Sequence, residues 1–303
     1  ILVGDHRQLP HMLDDKIEKE LSQQQEWKTV QSEMLEQSLF QRLVESMQRL
    51  EKEKQQPKRV IMLDTQFRMH PILGEFISKN FYENHNLPPV KAGKPETDFI
   101  HAISNYGTSV AAFKHVAIEK QQRAGTSWNR LSEAKWIAQE VKRILDEKPE
   151  LSIGVISFYS GQVKSIFDVM ADPKFGLTTG DKISENYRVI EVGENIGDER
   201  LRIGTVDAFQ GKEFDVVFVS LVRTLPDDFN VDELDDVSKD EKLTKAYGFL
   251  RVDNRLNVAL SSQRSLLILV GDQNLIQHPA TVDAVPALPE FLALCGGQHG
   301  QIF

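Results

Sequence analysis

The chain has 303 residues, 40% of them hydrophobic and 27% charged, with a formal net charge of −9. This composition is typical of a globular protein with one large or two smaller domains, and the acidic balance excludes a particle that coats nucleic acid through overall charge. The one cysteine, Cys295, excludes an internal disulfide and a cysteine-based zinc cluster, and no apolar run reaches the roughly 18 residues of a membrane helix. We therefore expect an intracellular, cytoplasmic protein (nuclear in a eukaryote) with no membrane partner.

The chain opens on a short apolar run, residues 1–3, that is typical of the end of a buried strand. Because a native chain rarely begins inside a core strand, we expect this sequence to be a fragment of a longer protein. Residues 14–54 are rich in Glu, Gln, Lys and Leu and contain neither Gly nor Pro. Apolar residues recur at helical spacing over residues 33–50, which predicts an amphipathic helix there.

Short apolar runs alternate with helical stretches after Pro57. The runs predict six strands, at residues 60–63, 115–118, 153–158, 201–206, 216–222 and 266–270. One helix is expected to begin at an N-cap, Ser132, and to end near Pro149, and a second is expected to follow Ser160. The predicted fold class is therefore α/β, a mostly parallel sheet with helices on both faces.

Two stretches interrupt this alternation. Residues 91–109 are polar and predict a long irregular connection. Residues 226–242 carry many acids and predict a solvated loop, with a plug that mimics or repels phosphate as the alternative.

Four segments place polar or charged residues at the ends of predicted strands, where open α/β sheets bind ligands: residues 4–10, 64–71, 204–213 and 253–264. In these segments Gln8 offers a carboxamide to a phosphate or a water. Phe67 and Arg68 offer an aromatic face and a guanidinium, and the alternative is that Arg68 pairs with an acid while Phe67 lies in the core. Glu213 offers an acceptor for a ribose hydroxyl.

In their order and spacing, the four segments resemble the later motifs of superfamily 1 helicases. The likeness is strongest to the branch that includes the nonsense-mediated-decay helicase and senataxin. The matching motifs are Gly-Asp-x-x-Gln-Leu at 4–9, Gln-Phe-Arg-Met-His-Pro at 66–71, Val-Asp-x-Phe-Gln-Gly-Lys-Glu at 206–213 and Arg-Leu-Asn-Val-Ala-Leu at 255–260.

This resemblance implies a RecA-like P-loop NTPase fold and an ATP-dependent nucleic-acid helicase or translocase. Residues 1–65 would be the tail of a first RecA-like domain and residues 66–303 a second one, with ATP between the two. The implied partners are the rest of the first domain and single-stranded DNA or RNA.

The resemblance also implies roles for particular residues. Gln8, Arg68 and Arg255 would act at the γ-phosphate. The nucleotide would be bound by Gln66, Phe67, Arg68, Gly211 and Glu213, with Phe67 on the adenine and Glu213 on the ribose. The nucleic-acid strand would be contacted by Ser157, Tyr159, Gln162, Thr205 and Gln210.

Two departures from the family pattern limit what the chain is expected to do alone. The sequence contains no Gly-x-x-x-x-Gly-Lys-Ser/Thr loop and no upstream Asp-Glu pair to hold Mg²⁺. We therefore expect no ATP hydrolysis by the isolated chain, and we expect Mg²⁺ to be held mainly by the first domain. Ser262 stands where the family has an arginine that reaches the γ-phosphate.

If residues 253–264 form one helix, Arg264 points about 200° away from Ser262, whereas Arg255 shares its face about 10.5 Å along the axis. We therefore expect Arg255 to replace the missing arginine only in part, so that hydrolysis is slow or relies more on Arg68. The alternative function is a degenerate helicase-like module that binds nucleotide or nucleic acid with weak or no hydrolysis.

The remaining candidates are weaker. The eight histidines show no metal-ligand spacing, so we expect them at the surface or capping helices, and we expect no metal site. Trp128, near Arg123 and Arg130 in sequence, is interpreted as a packed loop aromatic, with stacking on a base as the alternative.

Overall fold

The computed structural model describes residues 1–9, 38–54, 59–116, 119–232 and 234–303. The chain divides into two compact units, Ile1–Asp64 and Thr65–Phe303. In the first unit, helix α1 (Leu39–Lys54) confirms its part of the predicted amphipathic helix, and the rest of that prediction falls outside the described residues.

Two strands predicted in the first unit are wrong. Residues 1–3 and 60–63 form no strand, and most of their apolar side chains are exposed, including Leu2 and Leu63. Within the described part of this unit neither run has a neighbouring strand, so its backbone groups have no ladder to join.

The second unit contains the strands β1 (Thr65–Gln66), β2 (Lys91–Ala92), β3 (Ala111–His115), β4 (Gln122–Ala124), β5 (Ser127–Asn129), β6 (Ile153–Ser157), β7 (Thr178–Thr179), β8 (Lys182–Ile183), β9 (Leu201–Thr205), β10 (Phe214–Ser220), β11 (Gln263–Gly271) and β12 (Gly300–Ile302). Its helices are α2 (Pro71–Phe81), α3 (Leu131–Glu147), α4 (Ser160–Met170), α5 (Asp236–Tyr247), α6 (Asp253–Leu260), α7 (Gln273–Gln277), α8 (Ala280–Ala284) and α9 (Ala287–Cys295).

Six strands form one parallel sheet in the order β12-β3-β11-β10-β6-β9. The strand predicted at 115–118 lies earlier, as β3, and residues 117–118 are outside the described residues. In β11, Leu266, Ile268 and Val270 pack in one core with α3 and α4, while Leu267 and Leu269 on the opposite face are equally buried. Both faces are therefore covered, which confirms the predicted α/β class with a parallel sheet.

The helices explain two further corrections. Helix α3 begins at Leu131 rather than after an N-cap at Ser132, whose backbone N–H donates to the Glu119 carboxylate at 2.8 Å. The acidic stretch 226–242 is not entirely a loop, because Asp235 caps α5 by accepting from the backbone N–H groups of residues 237 and 238.

The segment predicted as one helix over 253–264 is also corrected. Helix α6 ends at Leu260, and β11 begins three residues later, where Gln263 pairs with Phe214 of β10. The Ser262 hydroxyl donates to the Val258 carbonyl at 2.7 Å, which closes the end of α6. Because the chain is already in strand at residue 264, the helical directions expected for Arg255 and Arg264 do not hold.

Cys295, the last residue of α9, is buried, and burial raises the pKa of its thiol. In the part of the chain that the structure describes, no helix is both long and apolar enough to cross a bilayer.

Candidate functional site

A tight turn before α2 presents Phe67 and Arg68. The Gln66 side-chain oxygen accepts from the backbone N–H groups of Arg68 and Met69 at 2.8 and 2.9 Å, and its amide nitrogen donates to the Met69 carbonyl at 2.9 Å. The Gln66 amide is therefore used to shape the turn, although the sequence predicted it as a nucleotide ligand.

Phe67 is the exposed aromatic residue of this turn, with 59% of its surface accessible. Its ring lies against Gly93, where any Cβ would collide with the ring, and the Gly93 N–H donates to the Gln66 carbonyl at 2.7 Å. Glycine is needed here for this close approach. The ring is fixed on one side and offers a flat apolar surface for another ring.

The Arg68 guanidinium contacts the segment before β10 and the end of α6. Its Nε lies 3.2 Å from Glu213 Oε2, and its Nη1 donates to the Ser261 carbonyl at 3.2 Å. The two side chains of this ion pair remain 32% and 40% exposed. At this exposure the pair can exchange partners with a ligand at small cost.

Arg264 completes the cluster. Its Nε and Nη2 donate to Glu213 Oε1 at 3.1 and 2.9 Å, and its Nη1 lies 3.3 Å from Asp215 Oδ1. Asp215 is buried, and its other oxygen accepts from the backbone and hydroxyl of Ser152. Burial alone would lower the pKa of Arg264, but the carboxylates of Glu213 and Asp215 outweigh burial and raise it.

We name this group the amino-edge cluster, because Glu213 precedes β10 and Arg264 is the second residue of the adjacent parallel β11. It consists of Arg68, Glu213, Asp215 and Arg264. The charges of its two guanidiniums and two carboxylates sum to zero. Sequence reasoning missed Arg264 because residues 253–264 were read as one helix, although the Ser261-Ser262 pair before an apolar run was a signal for its end.

A turn at residues 209–212 leads into the cluster. The Lys212 N–H donates to the Phe209 carbonyl at 2.9 Å, and Gly211 has φ +73° after Gln210 at φ −57°. This is a type II turn, which favours glycine at its third position. Gln210 and Gly211 are both exposed, so their backbone is accessible to a ligand.

Three residues predicted to contact nucleic acid have buried side chains. Ser157 and Gln162 are fully buried and Tyr159 is 4% exposed. The Gln162 amide pairs with the backbone of Arg130 at 2.7 and 3.1 Å and donates to the Ser220 hydroxyl at 2.9 Å. In this structure their side chains hold the turn after β6 instead of offering a surface, whereas Thr205 beside them is half-buried.

Below this turn lies an ion pair that sequence reasoning did not single out. Arg130 and Glu133 are both buried, with Nη1 and Oε1 3.0 Å apart. Glu133 Oε2 also accepts from the Ser220 hydroxyl at 2.6 Å and from the Val222 N–H at 3.1 Å. Burial raises the pKa of Glu133, and Arg130 opposes that shift.

The Val222 backbone is strained at this point. Its φ is +67°, which is rare for a β-branched residue, and the next N–H, that of Arg223, donates to the Leu221 carbonyl at 2.7 Å. The bond from the Val222 N–H to Glu133 holds this conformation.

The two other predicted catalytic residues have partners outside the amino-edge cluster. Arg255 Nη2 is 3.2 Å from Asp207 Oδ1, and its guanidinium lies over the Phe249 ring, so the carboxylate that Arg255 contacts is Asp207 rather than Glu213. Gln8 belongs to the other unit, in a turn where its N–H donates to the Asp5 carbonyl at 3.3 Å.

A Mg²⁺ ion would need carboxylate oxygens that are not already engaged by cations. Glu213 and Asp215, the acids nearest to Arg68, are both engaged by Arg264. Among the described residues no group of three or more His, Cys, Asp or Glu side chains is arranged to hold a metal ion. The described residues therefore do not fit a resident Mg²⁺.

The sequence of this chain is similar to those of known proteins. The AAA domain family matches residues 35–274. A regulator of nonsense transcripts 1 homolog from Neurospora crassa is 31% identical over 282 residues, covering 91% of this chain and 20% of that protein. The DNA polymerase alpha-associated DNA helicase A of Saccharomyces cerevisiae is 27% identical over 296 residues, covering 92% of this chain and 35% of that protein.

The helicase sen1 of Schizosaccharomyces pombe is 27% identical over 284 residues, covering 91% of this chain and 13% of that protein. The chain thus spans about a third or less of the length of these relatives. The parallel sheet with helices on both faces is consistent with the RecA-like fold that the resemblance implies. The chain therefore belongs to the AAA domain family, in the superfamily 1 helicase group that includes the regulators of nonsense transcripts and the Sen1 helicase.

Proposed function

We propose that residues 66–303 are the second motor domain of an ATP-dependent nucleic-acid helicase or translocase, and that residues 1–65 are the tail of the first. The observation that supports this most strongly is the amino-edge cluster beside the exposed Phe67 ring. An aromatic surface, a guanidinium and a carboxylate at one place match the base, phosphates and ribose of a nucleotide.

In this proposal Phe67 stacks on the adenine and Glu213 accepts from a ribose hydroxyl. Glu213 then shares its oxygens with the ribose, and Arg68 exchanges Glu213 and the Ser261 carbonyl for the γ-phosphate. Arg264 stays on Asp215 and keeps Glu213 in place. Phosphoryl transfer depends on positioned positive charge, which Arg68 supplies.

The other parts of the site would come from outside this cluster. Gln8 would face the γ-phosphate, and the preceding part of the first domain would supply the phosphate-binding loop and hold Mg²⁺. The strand would run past Thr205, Gln210 and Gly211, where contacts to its backbone imply little sequence specificity and a strong salt dependence.

The test is nucleic-acid-stimulated ATP hydrolysis by the protein that carries this chain together with a phosphate-binding loop. We expect Arg68→Ala to reduce kcat about 10³-fold, since an arginine on the transferred phosphoryl group contributes about 10³–10⁵. Arg188→Ala, which removes an exposed arginine paired with Glu185, is the matched control and should leave kcat unchanged. An Arg68→Ala protein as active as this control would refute the proposal.

Ser262 favours a second candidate, a module that binds nucleotide or nucleic acid with weak or no hydrolysis. Its side chain is buried and bonded to Val258, so it offers no group to a phosphate. ATP binding without nucleic-acid-stimulated turnover in the same assay would establish this candidate.

A further inference from the structure

A cavity of about 300 Å³ opens between the end of α2, the start of α6 and the link from α8 to α9. We name it the α6 cavity. Its apolar wall includes Leu250, Leu256, Val285 and Pro286, and none of its lining residues belongs to the amino-edge cluster. Its volume is at the lower end of the range for ligand pockets, which suits one long side chain.

Polar groups also line the α6 cavity. The carboxylate of Asp253, the first residue of α6, lies 2.8 Å from His85 Nε2, and the two side chains are 43% and 39% exposed. Asn80 is buried, and its amide nitrogen donates to the Phe76 carbonyl at 3.0 Å. The cavity therefore combines an apolar wall with a carboxylate that solvent still reaches.

The cavity adjoins α5, the helix within the acidic stretch 226–242. Arg251, which lines the cavity, donates to the Asp240 carboxylate at 2.8 Å and to the Asp240 carbonyl at 3.2 Å. Lys239 of α5 lies 2.7 Å from Asp283 of α8, which precedes the cavity residue Ala284. Each of these two cations is paired with an aspartate, so neither offsets the other acids of the stretch.

The acidic stretch concentrates the negative charge of the chain. It contains eight acidic residues and two lysines, so it carries −6 of the formal net charge of −9. Asp232, Asp236 and Glu241 are exposed and form no ion pair among the described residues. A surface with this charge repels phosphates and raises the local concentration of cationic groups. It therefore disfavours nucleic acid as the occupant of the cavity and favours a cation.

We propose that the α6 cavity and the acidic stretch together bind a basic segment of another protein, with one lysine or arginine side chain in the cavity. The aliphatic part of that side chain lies on the apolar wall, and its cationic end shares the Asp253 carboxylate with His85. The pair is exposed enough to admit a further partner at small cost. The remaining basic residues of the segment lie along the acids of α5. Because this site shares no residue with the amino-edge cluster, it does not depend on the proposed function.

The first test asks whether a cationic side chain is required. Fluorescence anisotropy of the 303-residue chain is measured with a labelled peptide that carries arginines separated by Gly-Ser pairs. The second probe is the same peptide with citrulline, which has nearly the shape of arginine but no charge, at each arginine. We expect the arginine peptide to bind at least about tenfold more tightly, as expected for hydrogen bonds to charged groups. Equal binding of the two peptides would make the cavity a site for an uncharged segment and overturn the proposal.

The second test separates the cavity from the acidic surface. Asp253→Asn removes the carboxylate at the cavity, and Ala284→Leu fills the cavity without changing any charge. Each should weaken binding of the arginine peptide about tenfold, the loss of one charge-assisted contact. Asp168→Asn, which removes an exposed carboxylate paired with Lys164 on α4, is the matched control and should leave the affinity unchanged. Urea denaturation of each variant measures whether it is still folded.

Two further outcomes would overturn the proposal. If the folded Asp253→Asn and Ala284→Leu proteins bind the arginine peptide as tightly as Asp168→Asn, the acidic stretch attracts the peptide without the cavity. If the unaltered chain does not bind the arginine peptide, the surface is not a site for basic segments. Neither result affects the proposed function, which is tested separately by ATP hydrolysis in Arg68→Ala.

Discussion

The arginines at the two edges of the sheet have different partners. At the amino edge, Arg68 and Arg264 are paired with carboxylates, and the cluster carries no net charge. At the carboxyl edge, Arg123 and Arg223 lie over an aromatic ring and form no ion pair among the described residues. The first arrangement is neutral until an anion displaces a carboxylate, whereas in the second the exposed Arg123 keeps its positive charge available.

This difference fits two kinds of ligand. A compact anion such as a triphosphate carries enough charge to compete with Glu213 for Arg68, and an exposed pair exchanges at small cost. A strand carries one charge per nucleotide, so it is better bound by guanidiniums that have no carboxylate to displace. Helix α6 lies between the two regions, with Arg255 near its start and Ser262 just past its end.

The largest effect is expected from breaking the buried ion pair of Arg130 and Glu133 at the carboxyl edge of the sheet. Glu133→Gln would leave Arg130 buried without a counter-charge and weaken the bond that holds Val222 next to Arg223. We expect the free energy of unfolding to fall by about 3–5 kcal/mol, as measured by urea denaturation.

The matched control for that change is Glu185→Gln, which removes the partner of an exposed arginine. It should lower the free energy of unfolding by less than about 1 kcal/mol. If both variants lose the same small amount, the buried pair does not support the carboxyl edge as described.

Opening the amino-edge cluster should affect ligand binding more than folding. Glu213→Gln removes the charge that both Arg68 and Arg264 contact, and it weakens the acceptor proposed for the ribose. We expect KM for ATP to rise about tenfold, or about 1.4 kcal/mol, with a change in the free energy of unfolding below about 1 kcal/mol. A stability loss as large as that of Glu133→Gln, with KM unchanged, would make the cluster structural.

Adding an arginine at the amino edge tests the effect of an extra cation there, whereas Glu213→Gln tests the loss of an anion. Ser262→Arg places a guanidinium beside the cluster, and we expect turnover to rise at least about tenfold in the protein that also carries the phosphate-binding loop. Because Ser262 is buried, we also expect a loss of about 1–3 kcal/mol in stability. An unchanged kcat in a folded variant would show that Arg68 and Arg264 already suffice.

The smallest effect is the contribution of His70, at the amino edge, to the pH dependence of stability. His70 caps α2 by accepting from the Ile72 N–H, and its backbone N–H donates to the Arg264 carbonyl. Burial lowers the pKa of His70, Glu96 opposes this shift, and His299 and His101 add to it. The neutral, capping form is therefore favoured in the folded protein.

Stability should thus be fully present above a pH of about 6.5 and should fall, by up to about 1 kcal/mol, as the pH drops towards the lowered pKa. Urea denaturation between roughly pH 7.5 and 5.5 measures this, and His70→Asn supplies a cap that does not titrate. If the His70→Asn protein shows the same pH slope, the effect belongs to another group.

Much of the fold could be predicted from the sequence because its central strands are continuous apolar runs. Strands β6, β9, β10 and β11 lie within a few residues of their predicted positions. The runs at 1–3 and 60–63 have the same local composition, and what they lack in the described residues is a neighbouring strand. Pairing is a non-local property that the pattern of one segment does not contain.

The candidate site could be predicted in part. The 66–71 and 206–213 motifs located Arg68 and Glu213. In the structure the Arg68 Nε and Glu213 Oε2 atoms lie 3.2 Å apart. Arg264 was missed because the predicted helix extended to residue 264, about one turn past its end at Leu260. An error in secondary structure changes the direction predicted for every side chain after it. The contacts of Arg223 with Trp128 and of Tyr159 with Phe249 were missed because these residues are far apart in sequence and meet only through packing.

The burial of Cys295 has a practical consequence for following this protein by spectroscopy. The thiol is the only one in the sequence, it is hidden at the end of α9, and its raised pKa keeps it in the unreactive form. A variant such as Arg188→Cys would therefore be labelled by a maleimide dye at one site without first removing the native cysteine. Fluorophores can be attached to cysteines introduced at exposed positions, while Cys295 stays in the core.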